Sequence, residues 1–190
     1  MSIMVLTSHK GIAKGEGAMG GAVPIIRQAG EGERLWFAGG GTFTMKASAA
    51  DTGGALFLLE DEMVRGKTTP LHFHPNEDEA FWLIDGEVLV HIDGEEHRVG
   101  PGGFAFLPRG IPHAFLVTSE TARIIAFQTP GTGEAFYNAL TEPVSSAEDE
   151  ARPPDFDRLR AVAEKSDSIV LLGPPPFESV TSKTHAPSAR

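Results

Sequence analysis

Two histidines and three acids interrupt a stretch of chain that otherwise reads as core. The segment HFHPNEDE, His72 to Glu79, separates the apolar runs GALFLLEDEM and AFWLIDGEVLVHI. Buried charge is unfavourable unless something compensates it, and a metal cation is the strongest compensator available to a protein. On a strand, His72 and His74 at i and i+2 point to one face and Phe73 to the other. Neutral imidazole is a common ligand for Fe, Ni, Cu, Mn and Zn, so a same-face pair is half of a metal site. The bare pair is equally compatible with two surface histidines on a half-exposed strand.

Strand parity ranks the acids that follow. If EAFWLID is a strand, Glu79, Phe81 and Leu83 share one face, and Ala80, Trp82 and Ile84 the other. Glu79 is grouped with the inward candidates, where a carboxylate needs a cation. Glu77 and Asp78 fall in the preceding turn and read as solvated acids. Downstream, GGFAFLPRGIPHAF places a turn at Pro108 and Gly110, and His113 opens a strand with Phe115 and Val117 on its own face. A lone histidine after a turn is ordinary. Three histidines and a glutamate at neighbouring strand starts are not explained that way. Phe81, Leu83, Phe104, Phe106 and Phe115 are the candidate lining of an apolar pocket for a flat substrate.

The elements that must position these residues are short and β-like. From Arg34 to Gln128, RLWF, TFTMKA, ALFLLEDEM, EAFWLID, EVLVHI, EHRV, FAFLP, PHAFLV and ARIIAFQ recur at close spacing, the rhythm of an antiparallel sandwich or small barrel. IDGE occurs at Ile84–Glu87 and again at Ile92–Glu95. Asp-Gly favours two-residue hairpin turns, which predicts tight hairpins on both sides of EVLVHI. After Thr129, GEAFYNAL and SSAEDEA read as helical. DFDRLRAVAEK places Phe156, Leu159, Val162 and Ala163 on one helical face with Asp155 as cap. IVLLG reads as a last strand stopped by prolines. The expected division is an N-terminal arm (1–33), a barrel (34–130), a helical extension (131–172) and a Pro-rich end with a polar tail (173–190).

Composition narrows the partners. Sixteen basic against twenty-six acidic residues give a net charge of −10. No Lys/Arg stripe exists to neutralise phosphates or an anionic membrane surface, so neither nucleic acid nor membrane is expected as a partner. The chain has no cysteine, which removes disulfides, thiolate metal sites and thiol nucleophiles together. No stretch reaches the length of a membrane span and no apolar leader opens the chain, so a cytoplasmic location is the default expectation. Two local patterns carry nothing. Gly15 to Gly20 matches GxGxxG but follows no strand, and Gly66-Lys67-Thr68 lacks the upstream glycine of a P-loop, where Asp61 stands instead. His91 and His97 read as surface residues.

The first segment runs Gly66, five residues, His72, one, His74, four, Glu79, six, Gly86. The second runs Gly102, five, Pro108, one, Gly110, two, His113. These resemble the two signature motifs of the cupin superfamily. Val117 stands where the second motif ends in Asn, which sets aside any role needing an amide there. The resemblance implies an all-β double-stranded β-helix, or jelly-roll barrel, with a short C-terminal helical extension. It also implies one divalent metal (Fe, Ni, Mn, Co, Cu or Zn) on His72, His74, Glu79 and His113, with one or two positions left for substrate, water or O2. A single barrel with flanking arm and extension is similar to short bacterial quercetin 2,3-dioxygenase-like proteins. That similarity implies a dioxygenase that cleaves a planar enolic or flavonol-type substrate with O2, Glu79 accepting the enol proton, in a homodimer paired through residues 1–30 and 129–172. An O2-independent cupin isomerase or cyclase, and a non-catalytic binding barrel, are the alternatives.

Overall fold

The structure is a computed structural model and describes residues 21–150 and 152–177. The GxGxxG pattern and most of the N-terminal arm lie outside the described residues. Among the described residues, twelve strands are arranged in two sheets, every pairing antiparallel. The larger sheet has the order β11-β1-β2-β3-β10-β5-β8 and the smaller β12-β4-β9-β6-β7. The strands are β1 (Glu33–Phe37), β2 (Thr42–Ala47), β3 (Phe57–Val64), β4 (Leu71–Phe73), β5 (Asp78–Asp85) and β6 (Val88–Ile92), then β7 (Glu95–Val99), β8 (Phe104–Leu107), β9 (His113–Val117), β10 (Thr121–Thr129), β11 (Thr141–Pro143) and β12 (Val170–Gly173). Three short helices, α1 (Glu134–Asn138), α2 (Ala147–Glu150) and α3 (Phe156–Ala163), occupy the C-terminal third. Among the described residues, no helix is long and apolar enough to cross a membrane.

The alternation visible in the sequence is the alternation of burial. In β3, Phe57, Leu59, Asp61 and Met63 face inward, and in β10 Ala122, Ile124, Ala126 and Gln128 do. The inward residues of both sheets meet in one apolar core containing Phe43, Phe57, Leu59, Phe81, Leu83 and Val90. A second cluster packs α1 and α3 against β1, through Trp36, Phe136, Leu140, Leu159 and Ala163. The expected helical face of α3 is the docked one, except that Phe156 stands largely exposed. Asp155 caps that helix, accepting from the Arg158 N–H at 2.9 Å. Glu142 gathers Arg152 and Arg158, each at 2.6 Å, and so fastens the extension to β11.

The two IDGE motifs do different work, which corrects the expectation of two hairpins. The second turns β6 into β7, with Asp93 at φ 49° and Gly94 at φ 87°, the left-handed pair of a tight hairpin. The first carries the chain from β5 in the larger sheet to β6 in the smaller one, so it is a corner. Gly86 is needed there because φ is +83° and a Cβ would stand 2.2 Å from the Thr121 carbonyl oxygen. At Gly94 nothing lies within 4 Å. Gly94→Ala is therefore expected to cost about 1 kcal/mol, and Gly86→Ala about 2–4 kcal/mol. Urea midpoints of the two variants measure the difference, and equal costs would show that the close approach at the corner is dispensable.

Candidate metal centre

The site is built where β4 meets β9 and where β5 begins. His72 sits on β4, directly across from His113 on β9, and His74 follows β4 immediately. Glu79 is the second residue of β5, on the face it shares with Phe81 and Leu83. One ligand atom from each of His72, His74, Glu79 and His113 lies within 4.8 Å of all the others. Atoms held about 2.0–2.2 Å from one ion lie at most about 4.4 Å apart, so a shift of a few tenths of an ångström would bring the widest-spaced pair within reach of a shared ion. All three histidines are buried.

Backbone carbonyls decide which nitrogen each ring presents. His72 Nδ1 lies 2.8 Å from the Pro70 oxygen, His113 Nδ1 2.9 Å from the Ile111 oxygen, and His74 Nδ1 2.6 Å from the Ser168 oxygen. A carbonyl only accepts, so Nδ1 carries the proton and each Nε2 is turned to the common centre. Two of those carbonyls sit two residues upstream of their own histidine. The third comes from the loop before β12, so the extension takes part in orienting a candidate metal ligand.

Electrostatics at the cluster fit a cation. His113 Nε2 is buried without a hydrogen-bond partner. Glu79 Oε2 lies 2.9 Å from His74 Nε2 and 3.5 Å from His113 Nε2. Burial pushes the Glu79 carboxyl up, yet His113 and His74 outweigh it and hold it well below the usual carboxylate range. Burial, together with the neighbouring His113 and His74, pushes His72 down to about 3, so its Nε2 lone pair is available at any ordinary pH. At His74 burial opposes the imidazolium, but the hydrogen bond and charge of Glu79 prevail and raise its pKa. An orphaned imidazole nitrogen, two further nitrogens and an ionised carboxylate form a donor set that can hold a divalent ion of the imidazole-preferring kind.

The turns around the cluster are fixed by one ion pair. Asp78 Oδ1 accepts from the backbone N–H of Arg109 at 2.9 Å and from its Nε at 3.0 Å, and Oδ2 accepts from NH2 at 2.7 Å. Gly110 N–H also donates to the His74 carbonyl at 2.8 Å. The turn that leads to His113 is thereby tied to the segments carrying His74 and Glu79.

Glu77 departs from the expectation of a solvated turn acid. It is 1 % exposed, and its Oε1 accepts from Thr132 Oγ1 at 2.6 Å. The 3-10 turn Gly131–Gly133 passes close enough to cover it because Gly133 has no side chain, a Cβ there falling 2.1 Å from Gln128 Oε1 and 3.4 Å from Glu77 Cγ. Gln128 was not a sequence candidate either. Its amide nitrogen lies 3.1 Å from His74 Nε2 and 3.4 Å from Glu79 Oε2.

A cavity of about 100 Å³ opens from the cluster into the barrel. Of the five candidate lining residues, Phe81 and Phe115 border it and the other three do not. Leu83 is buried in the core outside the cavity lining. Phe104 and Phe106 are 49 % and 51 % exposed. The pairing of β5 with β8 sets Leu107 opposite Glu79 and Ala105 opposite Phe81, so those two face inward, while Phe104 stacks at 5.3 Å against the outward Trp82. Tyr137 is a lining residue that the sequence reading did not single out. Burial, followed by the charges of Glu79 and Asp61, holds its hydroxyl well above the usual phenol range.

Comparison with known proteins agrees with this architecture. The family model described as cupin domain matches residues 60–127. Residues 60–127 thus resemble a cupin domain, and the two facing antiparallel sheets are consistent with its jelly-roll form. Quercetin 2,3-dioxygenase of Bacillus subtilis (strain 168) is 28 % identical over 153 residues, 80 % of this chain and 45 % of the relative, so the chain spans less than half of that protein's length. The tetracenomycin polyketide synthase protein TcmJ of Streptomyces glaucescens is 28 % identical over 129 residues, 66 % of this chain and 80 % of the relative. Among solved structures, an RmlC-like cupin from Shewanella frigidimarina NCIMB 400 is similar with a TM-score of 0.49 and 20 % identity, covering 56 % of this chain and 91 % of that one.

Two outcomes test the centre. An ion binding His74 must displace its proton, so uptake at pH 6.5, the ordinary histidine value, is expected to release protons, and the release should fade as pH rises above the raised pKa of His74. Calorimetric titration in buffers of different ionisation enthalpy reads this, and a heat independent of buffer at the lower pH would rule out the competition. Separately, Arg109 holds Asp78 down at about 2. The stabilisation from that pair is complete above the ordinary carboxylate value of 3.8 and is lost as pH falls through about 2. Asp78→Asn is expected to cost about 1–2 kcal/mol at neutral pH, and its stability deficit should shrink across that acid window in thermal unfolding.

Proposed function

We propose that this protein is a metal-dependent cupin dioxygenase that cleaves a planar enolic or flavonol-type substrate with O2. The observation that carries the reading is a three-histidine, one-glutamate cluster facing an aromatic cavity. His72, His74 and His113 would hold the ion through Nε2, and Glu79 through a carboxylate oxygen. When bound, the ion supplies Lewis acidity toward an enol oxygen and a route for electrons between substrate and O2. The chain's own residues do the rest. Glu79, ionised and opening onto the cavity, accepts the proton of the substrate's enolic hydroxyl. Phe81, Phe115 and Tyr137 present flat apolar walls and keep bulk water from the reacting carbon atoms.

The cavity is smaller than the roughly 300–1,000 Å³ typical of pockets for drug-sized ligands. It shares Thr68, Pro70, Phe156, Leu159, Ile169 and Leu171 with an open groove of about 1,020 Å³. Displacement of α3 from that shared wall would admit a multi-ring substrate, the role of a lid. The similarity to quercetin 2,3-dioxygenase supports the substrate class. The second reading is an O2-independent isomerase or cyclase, and the similarity to TcmJ, which covers most of both chains, supports a polyketide-type compound as its substrate. A homodimer paired through residues 1–30 and 129–172 belongs to the same proposal, and sedimentation as a monomer would remove it.

The test is oxygen uptake with quercetin by protein loaded separately with Fe(II), Ni(II), Co(II) and Mn(II). Flavonol-dependent uptake with at least one ion is expected. Turnover of an aromatic substrate under strict anaerobiosis, with no uptake by any metal-loaded form, would favour the second reading, and tight binding without product would indicate a binding barrel. Glu79→Gln is expected to lower kcat by about 10²- to 10⁴-fold in protein shown by metal analysis to retain its ion. Near-wild-type turnover in that variant would remove the proton-acceptor role.

A further inference from the structure

The mechanism leaves an acid and a lysine inside the barrel unused. Asp61 lies on the inward face of β3, between the buried Leu59 and Met63. Both of its oxygens accept from Lys67 Nζ, at 3.0 and 2.7 Å, and the two side chains are only 11 % and 13 % exposed. A buried ion pair confers little stability relative to apolar residues of the same volume. Its presence in an apolar interior therefore points to a different task. Both residues line the cavity that begins at His72, His74, Glu79 and His113.

Strand register places the pair within that cavity. On β10, Gln128 pairs with Glu79 on one side and Phe57 on the other, whereas Ile124 pairs with Asp61. Asp61 thus stands four residues along β3 from the row of Glu79, a displacement of about 13 Å along the strand. The cavity is a slot with the metal cluster toward one end and the ion pair toward the other. Leu59 and Phe81, which both pair with Ala126, wall the space between, and Phe43 stands level with Asp61.

We infer that Asp61 and Lys67 form a second, polar subsite that recognises a phenolic hydroxyl at the end of a flat ligand remote from the metal cluster. The inference rests on the flavonol-type reading for the metal-proximal end of that ligand. An ammonium has three N–H donors, and two are directed at Asp61, which leaves one. The carboxylate retains acceptor capacity beyond its two bonds from Lys67. A hydroxyl satisfies both groups at once, accepting from Lys67 and donating to Asp61. A ligand carboxylate would face the charge of Asp61, and an unsubstituted ring edge would leave both groups unmatched as water is expelled. The pair is neutral overall, so it selects a neutral donor–acceptor group.

The experiment is calorimetric binding to the Zn(II)-loaded protein under argon, where turnover does not consume the ligand. Three probes share the enol end: 3-hydroxyflavone, its 4′-hydroxy derivative and its 4′-carboxy derivative. The 4′-hydroxy compound is expected to bind about 10- to 100-fold more tightly than the unsubstituted one, with the carboxylate weakest. Lys67→Met should abolish the preference. Because that change leaves Asp61 buried and unpaired, the double variant Asp61→Leu/Lys67→Met provides the second arm, and it too should bind the three probes without discrimination. A merely structural pair would shift the unfolding temperature and leave the preference intact. Equal affinities in the wild type, absence of binding, or a preference retained in the double variant would overturn the subsite. Oxygen uptake on the same series separates the two proposals. A hydroxyl preference without uptake keeps the subsite and removes the dioxygenase, whereas uptake at one KM for all three probes does the reverse.

Discussion

Three imidazoles and a carboxylate converge inside an apolar barrel, and the surrounding architecture answers that constraint. Each ring would be unfavourable there with both nitrogens unsatisfied. The chain spends one nitrogen of each on a backbone carbonyl, which leaves the second with a fixed direction and a free lone pair. Only a cation or a proton can complete such a set. The Glu79 carboxylate, 2.9 Å from His74 Nε2, favours a proton on that nitrogen. A metal bound by this set would therefore compete with that proton, so its affinity would fall with pH.

The parts of this site that were legible in the sequence are those governed by local periodicity. The i, i+2 spacing put His72 and His74 on one face, and parity separated Glu79 from Asp78 without any knowledge of the fold. The cap at Asp155 and the hairpin at Asp93-Gly94 were equally local. What escaped depends on contacts distant along the chain. Glu77 is buried only because a turn more than fifty residues later, at Gly131–Gly133, passes over it without side chains. Gln128 and Tyr137 reach the cavity from segments that carry no motif. At β8 both faces are apolar, so FAFL gave no parity signal, and the register with β5 alone turns Ala105 and Leu107 inward and the two phenylalanines out. The two IDGE motifs show the same limit, since identical residues make a hairpin in one place and a change of sheet in the other.

The C-terminal segment is part of the site as well as its cover. Leu171 of β12 pairs with His72 of β4, Ser168 supplies the carbonyl that orients His74, and Asn76 donates to the Asp167 carbonyl at 2.9 Å. α3 meanwhile forms the wall shared by the inner cavity and the outer groove. Opening that wall for a large substrate would move a helix joined through only a few residues to the carbonyl that fixes a metal ligand. The wall of the cavity and the orientation of His74 thus depend on adjacent stretches of one segment. The extension therefore contributes in two ways at once, as a carbonyl that orients a candidate ligand and as a wall of the cavity that ligand faces.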